Sequence, residues 1–302
     1  MTDGPRKTPA TLKGVAFMVG SMAVLPYLDV TAKYLGQTGM PVMETVWARL
    51  FFGALLTLPF ALRAGGVAAL RPRDPAINLT RAALLMTATF CFFASLRWLS
   101  VADALAIFFV NPLIVTALSP ALLGERVDRR RWIAVAIGFI GTLIIIRPGF
   151  KEVNAGVVLA LASGVCLAIY LLLSRKISGR TDPVIITFHT TLLGAALASV
   201  LVVAEWQWPS PWQWTLMLLV GVIATLGHFL ILSAYRHAEA SLLAPLAYLE
   251  MVNATLGGWL FFGDFPDLWT FVGVGVLVLC AVYISAGARR SQAPVTEDFE
   301  QP

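Results

Sequence analysis

Charged residues are scarce in this sequence. Only 13% of its 302 residues are charged, against about 25% in an average soluble domain, while 58% are hydrophobic. A soluble core cannot bury so many long apolar runs, whereas a bilayer can accept them, because about 20 mostly apolar residues cross its hydrocarbon. The composition excludes an ordinary soluble domain and predicts an all-α polytopic membrane protein.

Groups suited to covalent or metal chemistry are also scarce. The three cysteines, Cys91, Cys166 and Cys280, lie apart within apolar runs, a pattern that favours neither a disulfide framework nor a metal site. The sequence contains no H-E-x-x-H, G-x-S-x-G or P-loop motif. We therefore expect a protein that is not an enzyme and that uses no metal and no cofactor.

Ten apolar runs are long enough to be transmembrane spans. The first contains Asp29 and Lys33, and we interpret it as a retained span rather than a signal peptide. The connectors are short and rich in turn-forming residues, and none is long enough to hold a soluble domain. The predicted spans are 12–35, 42–62, 76–97, 102–123, 131–147, 155–174, 183–204, 212–235, 239–262 and 267–287.

Lysine and arginine are unevenly distributed between the connectors. If the N-terminus is cytoplasmic, sixteen of the 22 basic residues fall on the cytoplasmic side and three on the outer side. Such a bias predicts that both termini are cytoplasmic. It also accounts for the net charge of +5 without a nucleic-acid partner.

The two halves of the chain contain related stretches. "NPLIVTALSPALLGERVDRRRW" begins at Asn111, and "EMVNATLGGWLFFGDFPDLWTF" begins at Glu250, 139 residues later. Each has a polar start, an apolar run and then a glycine followed by an acid. Five spans in each half would insert the second half upside down, and an inverted repeat is typical of secondary transporters.

The chain resembles the EamA branch of the drug/metabolite transporter superfamily. The resemblance rests on "DVTAKYLG", "PVMETVWARLFFGALLTLPFAL", "ASLRWLSVADALAIFFVNPLIVTALSPALLGE" and "SAYRHAEASLLAPLAYLEMVNATLGGWLFFGDF". It implies ten helices in two inverted five-helix repeats, 12–148 and 149–288. A cytoplasmic segment, 1–11, and a disordered cytoplasmic tail, 289–302, would flank them. It further implies secondary transport of a small organic metabolite across the bacterial inner membrane through a central cavity.

Polar and aromatic residues within the spans are the candidate site, because ionisable groups there are costly and are usually retained for function. For most of them a structural role is the alternative, either as a hydrogen bond between helices or as packing. The candidate substrate-binding or coupling residues are Asp29, Lys33, Arg49, Phe93, Asn111, His228, Tyr248, Glu250 and Asn253.

Six acidic and basic positions carry more specific expectations. Asp29 and Lys33 are four residues apart with the acid first, so they could pair on one helix face, and Arg49 needs a partner for which Asp29 is a candidate. Glu250 is the best candidate for a proton-coupled carboxylate. By contrast, Arg81 is expected to extend to the headgroups, and Glu44 is expected to be wetted by them.

The most favoured function is alternating-access transport of an amino acid, flavin or nucleoside-like metabolite. Riboflavin uptake is the specific alternative, favoured by the aromatic residues, and a non-transport membrane scaffold or enzyme is the alternative from another class. The expected partners are a small-molecule substrate and the lipid bilayer. The oligomeric state is left open, with a monomer among the possibilities.

Overall fold

Helices make up the regular structure of the part of the chain described by the computed structural model. That part covers residues 9–72, 74–124, 129–146, 154–177, 182–238 and 249–291, with Leu243 and Leu246. A 3₁₀ turn, Gly66–Leu70, follows the second helix. The α-helices are α1 (Pro9–Gln37), α2 (Val42–Gly65), α3 (Pro75–Ser95), α4 (Val101–Phe108), α5 (Asn111–Leu123), α6 (Arg129–Ile146), α7 (Ala155–Ile177), α8 (Pro183–Val202), α9 (Pro211–His237), α10 (Leu249–Phe262) and α11 (Leu268–Ser291).

Within the described residues, seven helical segments are long and apolar enough to cross a membrane, with α4 and α5 counted together as one of them. Two shorter apolar helices, Val135–Ile146 and Leu268–Cys280, belong to α6 and α11. The predicted span 239–262 is described mainly from Leu249 onward. The structure therefore agrees with a polytopic helical protein, while the number of ten spans stays a prediction.

The fourth predicted span is broken where its sequence contains Asn111-Pro112. Helix α4 ends at Phe108 and α5 begins at Asn111, because proline removes a backbone donor and disfavours helical geometry before it. The Asn111 side-chain amide donates to the Phe108 carbonyl at 2.9 Å. Asn111 thus satisfies a carbonyl that the break would leave exposed, which is a structural role.

Two glycines end equivalent helices with the same backbone turn. Gly124 follows α5 with φ of 69°, and Gly263 follows α10 with φ of 71°. This left-handed conformation costs glycine little, since it has no Cβ. The Gly-acid similarity seen in the sequence therefore corresponds, at both glycines, to one type of helix ending.

The helix contacts keep the same pattern when each helix of one half is replaced by its counterpart in the other half. Helix α2 packs on α8, and α6 packs on α11, so each of these pairs joins a helix with its counterpart in the other half. The α1–α9 contact is matched in the same way by the α3–α7 contact. A two-fold relation between the halves explains why these contacts occur in matching pairs.

Counterpart helices α1 and α7 run in opposite directions. We call the end of the bundle where α1 finishes the distal end and the opposite end the proximal end. Lys33, late in α1, contacts Leu99 in the α3–α4 connector, and Gly156, early in α7, lies beside the same residue. Ser174, late in α7, contacts Arg81 near the proximal start of α3. Helix α7 therefore begins at the end where α1 stops.

Helices α6 and α11 approach closely at Gly141 and Gly273. A Cβ added to Gly273 would lie 2.6 Å from the Gly141 carbonyl oxygen, whereas a Cβ added to Gly275 would meet nothing within 4 Å. Small residues allow this approach, as they do in other membrane helix pairs.

We expect Gly273→Ala to lower the thermal melting temperature of the purified protein, because overpacking costs about 1–3 kcal/mol and the added Cβ would meet both the Ile145 side chain and the Gly141 backbone oxygen. Gly275→Ala is the matched control and should melt as the parent does. Equal melting of the two variants would show that the α6–α11 contact is looser than the structure has it.

Candidate functional site

A cavity of about 230 Å³ lies inside the bundle, and we call it the central cavity. Four of the residues singled out in the sequence line it, and they come from both halves of the chain. They are Asp29 of α1, Arg49 of α2, His228 of α9 and Glu250 of α10. Residues from spans far apart in sequence are thus brought to one internal space.

The charged groups of the central cavity are not paired with one another. Lys33 forms an ion pair with Asp264, and no ion pair within 4 Å joins Asp29, Arg49 and Glu250, all three of which are described, to one another. Arg49 instead donates from Nη1 to the Thr89 hydroxyl at 2.8 Å, and its guanidinium lies 5.9 Å from the centre of the Phe93 ring. The pairing of Asp29 with Lys33 or Arg49 that the sequence allowed is therefore absent from this structure.

Unpaired charges in a membrane interior need an explanation. Burying a carboxylate or guanidinium without a partner costs several kcal/mol, and lipid provides none. Asp29 is buried, Arg49 and Glu250 are partly accessible, and all three line the cavity. An internal space that admits water or a charged ligand would account for these three groups.

His228 presents one ring nitrogen to a neighbouring backbone carbonyl. Its Nδ1 lies 3.0 Å from the Ala224 oxygen, and because a carbonyl only accepts, Nδ1 must carry the proton of this hydrogen bond. The other nitrogen, Nε2, is then an acceptor in the neutral ring. His228 can offer a hydrogen-bond acceptor to a ligand in the cavity it lines.

Aromatic and hydroxyl side chains complete the wall. Phe92, Phe108, Tyr170, Thr89 and Ser163 line the same cavity. None of the five is among the candidate site residues chosen from the sequence, although the three rings belong to the aromatic residues that favoured a ring-bearing substrate. A signal for Tyr170 is present, because "YLLLSRKISG" from Tyr170 parallels "YLDVTAKYLG" from Tyr27 in the counterpart helix. Thr89 and Ser163 have no comparable signal among the many hydroxyl residues of the spans.

Arg81 lies behind Tyr170 and is fully buried, with 0% of its surface exposed. Its Nε donates to the Ser174 hydroxyl at 2.9 Å and its Nη1 donates to the Asn78 side-chain oxygen at 3.1 Å. Its guanidinium lies 5.1 Å from the centre of the Tyr170 ring. The expectation that Arg81 extends to the headgroups is wrong, because protein side chains surround it. Arg81 instead packs against Tyr170, which lines the central cavity.

A second, largely apolar cavity of about 290 Å³ adjoins the central one. Arg49, Leu85, Tyr170 and His228 line both cavities. The Phe60 and Phe229 rings, both partly exposed at the bundle surface, lie 6.2 Å apart at its edge. It therefore offers apolar space next to the charged groups.

Asn253 has a structural role that its sequence position did not reveal. Pro26 lacks the N–H that would bond the Met22 carbonyl four residues earlier. The Asn253 amide donates to that carbonyl at 3.3 Å, and also to the Leu249 carbonyl at 3.0 Å. Asn253 thus ties α10 to the α1 group that proline leaves free, and it is not among the residues that line the central cavity.

Lys33 and Phe93 line a different cavity, of about 530 Å³, at the distal end of the bundle, which we call the distal cavity. Lys33 Nζ lies 2.5 Å from Asp264 Oδ2 and 3.2 Å from the Leu99 carbonyl oxygen. Phe93 separates Arg49 from this space. Tyr248 lies outside the described residues.

Glu44 is buried beneath the α8–α9 connector. The expectation that lipid headgroups wet this residue is therefore wrong. None of its surface is exposed, and Oε1 accepts from the Gln207 backbone N–H at 2.5 Å. The Trp47, Trp206 and Trp214 rings cluster nearby, with centroid distances of 5.4 to 6.4 Å. Glu44 therefore anchors a connector at the distal end.

Comparison with known proteins agrees with a membrane transporter of two-repeat architecture. Residues 12–147 and 154–286 each match the EamA-like transporter family. The chain belongs to the EamA-like transporter family, and it is a multi-pass membrane protein.

Several named relatives are similar over most of the chain. The S-adenosylmethionine uptake transporter of Rickettsia prowazekii (strain Madrid E) is 24% identical over 282 residues, covering 93% of this chain and 95% of that protein. The riboflavin transporter of Vibrio cholerae is 26% identical, covering 91% and 93%. The pseudopaline exporter CntI of Pseudomonas aeruginosa (strain UCBPP-PA14) is 29% identical, covering 80% and 85%.

One solved crystal structure supports the fold. It is 20% identical to this chain, has a TM-score of 0.66, and covers 95% of this chain and 100% of that one. The match concerns architecture alone.

We expect Asn253→Ala to destabilise the purified protein in detergent, because an unsatisfied buried carbonyl costs about 1–3 kcal/mol. In a Pro26→Ala background residue 26 can bond the Met22 carbonyl itself, so the same substitution should cost less. The thermal shifts of both single variants and the double variant measure this coupling. Additive shifts would contradict the role assigned to Asn253.

Proposed function

We propose that this protein is a secondary transporter that binds a small organic metabolite in the central cavity and moves it by alternating access. The observation that carries this proposal is the convergence of Asp29, Arg49 and Glu250 from both halves on one cavity without an ion pair among them. Sites between the repeats are where inverted-repeat transporters bind their substrates. We also propose ten spans arranged as two inverted five-helix repeats, 12–148 and 149–288.

The charges favour a substrate that carries both a carboxylate and an amino group. Arg49 can bind a carboxylate through the guanidinium donors that Thr89 does not use, and Asp29 and Glu250 can bind an ammonium group. The apolar cavity next to Arg49 and Tyr170 then receives the less polar part of the molecule. Amino-acid-like metabolites meet these requirements, and S-adenosylmethionine and pseudopaline, named for two relatives, belong in the same test.

Riboflavin is the second candidate substrate. Phe92, Phe108 and Tyr170 line the central cavity, and aromatic rings stack favourably on flat ring systems. The riboflavin transporter among the relatives supports including it. A flavin would leave the pair of carboxylates without a matching cation, which is why it ranks second.

We propose that the distal end faces the outside of the bacterial inner membrane and that both termini are cytoplasmic. The support is the excess of lysine and arginine in the connectors on the N-terminal side of the bundle.

A thermal-shift panel on the purified protein tests the substrate class. Amino acids, S-adenosylmethionine, riboflavin and nucleosides are each added at a series of concentrations, because a ligand that binds the folded form raises its stability by mass action. We expect a zwitterionic compound to raise the melting temperature, and Arg49→Lys to reduce that rise, since lysine cannot make the two-pronged contact of a guanidinium. Stabilisation by riboflavin alone would favour the second candidate.

Transport in proteoliposomes tests the role of the carboxylates. We expect Asp29→Asn and Glu250→Gln each to reduce uptake of the compound found above by about tenfold or more, because each removes a charge that meets the substrate. Expression and elution profile should stay unchanged. The matched control is Asp74→Asn, an exposed acid outside the cavity. Parental uptake by Asp29→Asn or Glu250→Gln would remove that residue from the site.

A further inference from the structure

The central and distal cavities are close together, yet they share no lining residue. Asp29 lines the central cavity and Lys33, one helical turn further along α1, lines the distal one. About 6 Å of helix therefore separates the two spaces. Whatever lies between these residues decides whether a molecule can pass from one cavity to the other.

The Lys33–Asp264 ion pair lines the distal cavity, one helical turn of α1 beyond Asp29. Its atoms are 2.5 Å apart, and the two side chains are only 10% and 34% exposed. The pair joins α1 of the first half to the α10–α11 connector of the second half. Lys33 also donates to the Leu99 carbonyl, and its ammonium group lies 4.9 Å from the centre of the Phe262 ring. Four segments of the bundle thus meet at one lysine.

The backbone around Asp264 directs this contact. Gly263 adopts the left-handed conformation that ends α10, and its N–H bonds the Trp259 carbonyl at 3.0 Å. The Asp264 N–H returns to the Gly258 carbonyl at 3.2 Å. A connector fixed by two backbone bonds holds its carboxylate in place, so the ion pair constrains both halves of the bundle.

We propose that Lys33 and Asp264 form a latch that closes the central cavity toward the distal end. Breaking the pair lets the distal ends of α1 and α10 separate and joins the two cavities. This proposal rests on the proposed function, because it concerns access to the transport site. It adds a role for Lys33 and Asp264 that is distinct from substrate binding.

Cysteine labelling tests the latch without any substrate. In a background where Cys91, Cys166 and Cys280 are replaced by serine, Ala88→Cys reports on the central cavity and Gln37→Cys reports on the distal cavity, since each residue lines that space. A membrane-impermeant maleimide is added to one side of sealed vesicles at a time. The side that labels the Gln37→Cys protein is the distal side.

From the distal side, we expect slow labelling of the Ala88→Cys protein. Lys33→Met or Asp264→Asn should raise its rate by about five- to tenfold, because a partly buried pair is less screened than an exposed one. Asp264→Glu, which keeps the charge, should stay slow. The matched control is Arg97→Ala, which removes an exposed cation from the same cavity wall and should also stay slow.

Unchanged labelling in both Lys33→Met and Asp264→Asn, with normal elution profiles, would overturn the latch. An equal rise in Arg97→Ala would overturn it too, because general loss of charge would then be the cause. If either latch variant aggregates, the double variant Lys33→Asp with Asp264→Lys, which restores the ion pair in reverse, decides the question. Slow labelling of Ala88→Cys in that background would support the latch, and fast labelling would overturn it. The labelling experiment can support the latch even if no compound in the thermal-shift panel stabilises the protein. In that case the latch would stand, and the transport proposal would be weakened.

Discussion

Hydrocarbon supplies no hydrogen-bond partners, so each polar group within this bundle must find one inside the protein. At several positions the partner comes from a helix far away in sequence. The Met22 carbonyl, freed by Pro26, accepts from Asn253, and the Ser21 hydroxyl donates to the Gly227 carbonyl at 2.9 Å. Against that background, Asp29, Arg49 and Glu250 stand out, because no ion pair joins them to one another or to another described residue. Water or a ligand in the cavity that they line would complete their interactions, and this is the physical basis for proposing the site there.

The origin of these three groups bears on mechanism. Asp29 and Arg49 belong to the first half of the chain, whereas Glu250 belongs to the second, and the packing of α2 on α8 and of α6 on α11 holds the halves together. A rotation of one half against the other would change the distances between Glu250 and the first two residues. A ligand that binds all three charges would therefore bind the alternative arrangements with different affinity, which is the requirement for a ligand to shift a conformational equilibrium.

Much of the helical framework could be predicted from the sequence, because apolar runs and turn residues are local signals. The predicted limits of the second span, 42–62, lie close to α2, and the fourth span is broken at the Asn-Pro pair that its sequence contains. Asp29, Arg49, His228 and Glu250 could be selected because ionisable groups are rare in spans. The partners of these groups could not be predicted in the same way. Lys33 has an acid one turn away on its own helix, yet it pairs with Asp264, 231 residues further along the chain, and such contacts depend on how distant helices pack.

The expectations for Arg81 and Glu44 were wrong for the same reason, because they depend on contacts between helices. The depth of a residue along one helix does not say whether lipid or protein surrounds its side chain. Helix α1 has a distinct feature on each side of Asp29. Pro26 removes one backbone bond on one side of Asp29, and the Lys33–Asp264 pair fixes the helix on the other side. The α1 segment that carries Asp29 therefore lacks a backbone hydrogen bond on its proximal side. On its distal side, an ion pair holds it to the second half of the chain. Separation of Lys33 from Asp264 would release the tied end while the bond missing at Pro26 lets the helix bend, so that Asp29 moves with the segment. If the pair acts as the proposed latch, closure of the distal end and the geometry of the central site are coupled through one turn of one helix.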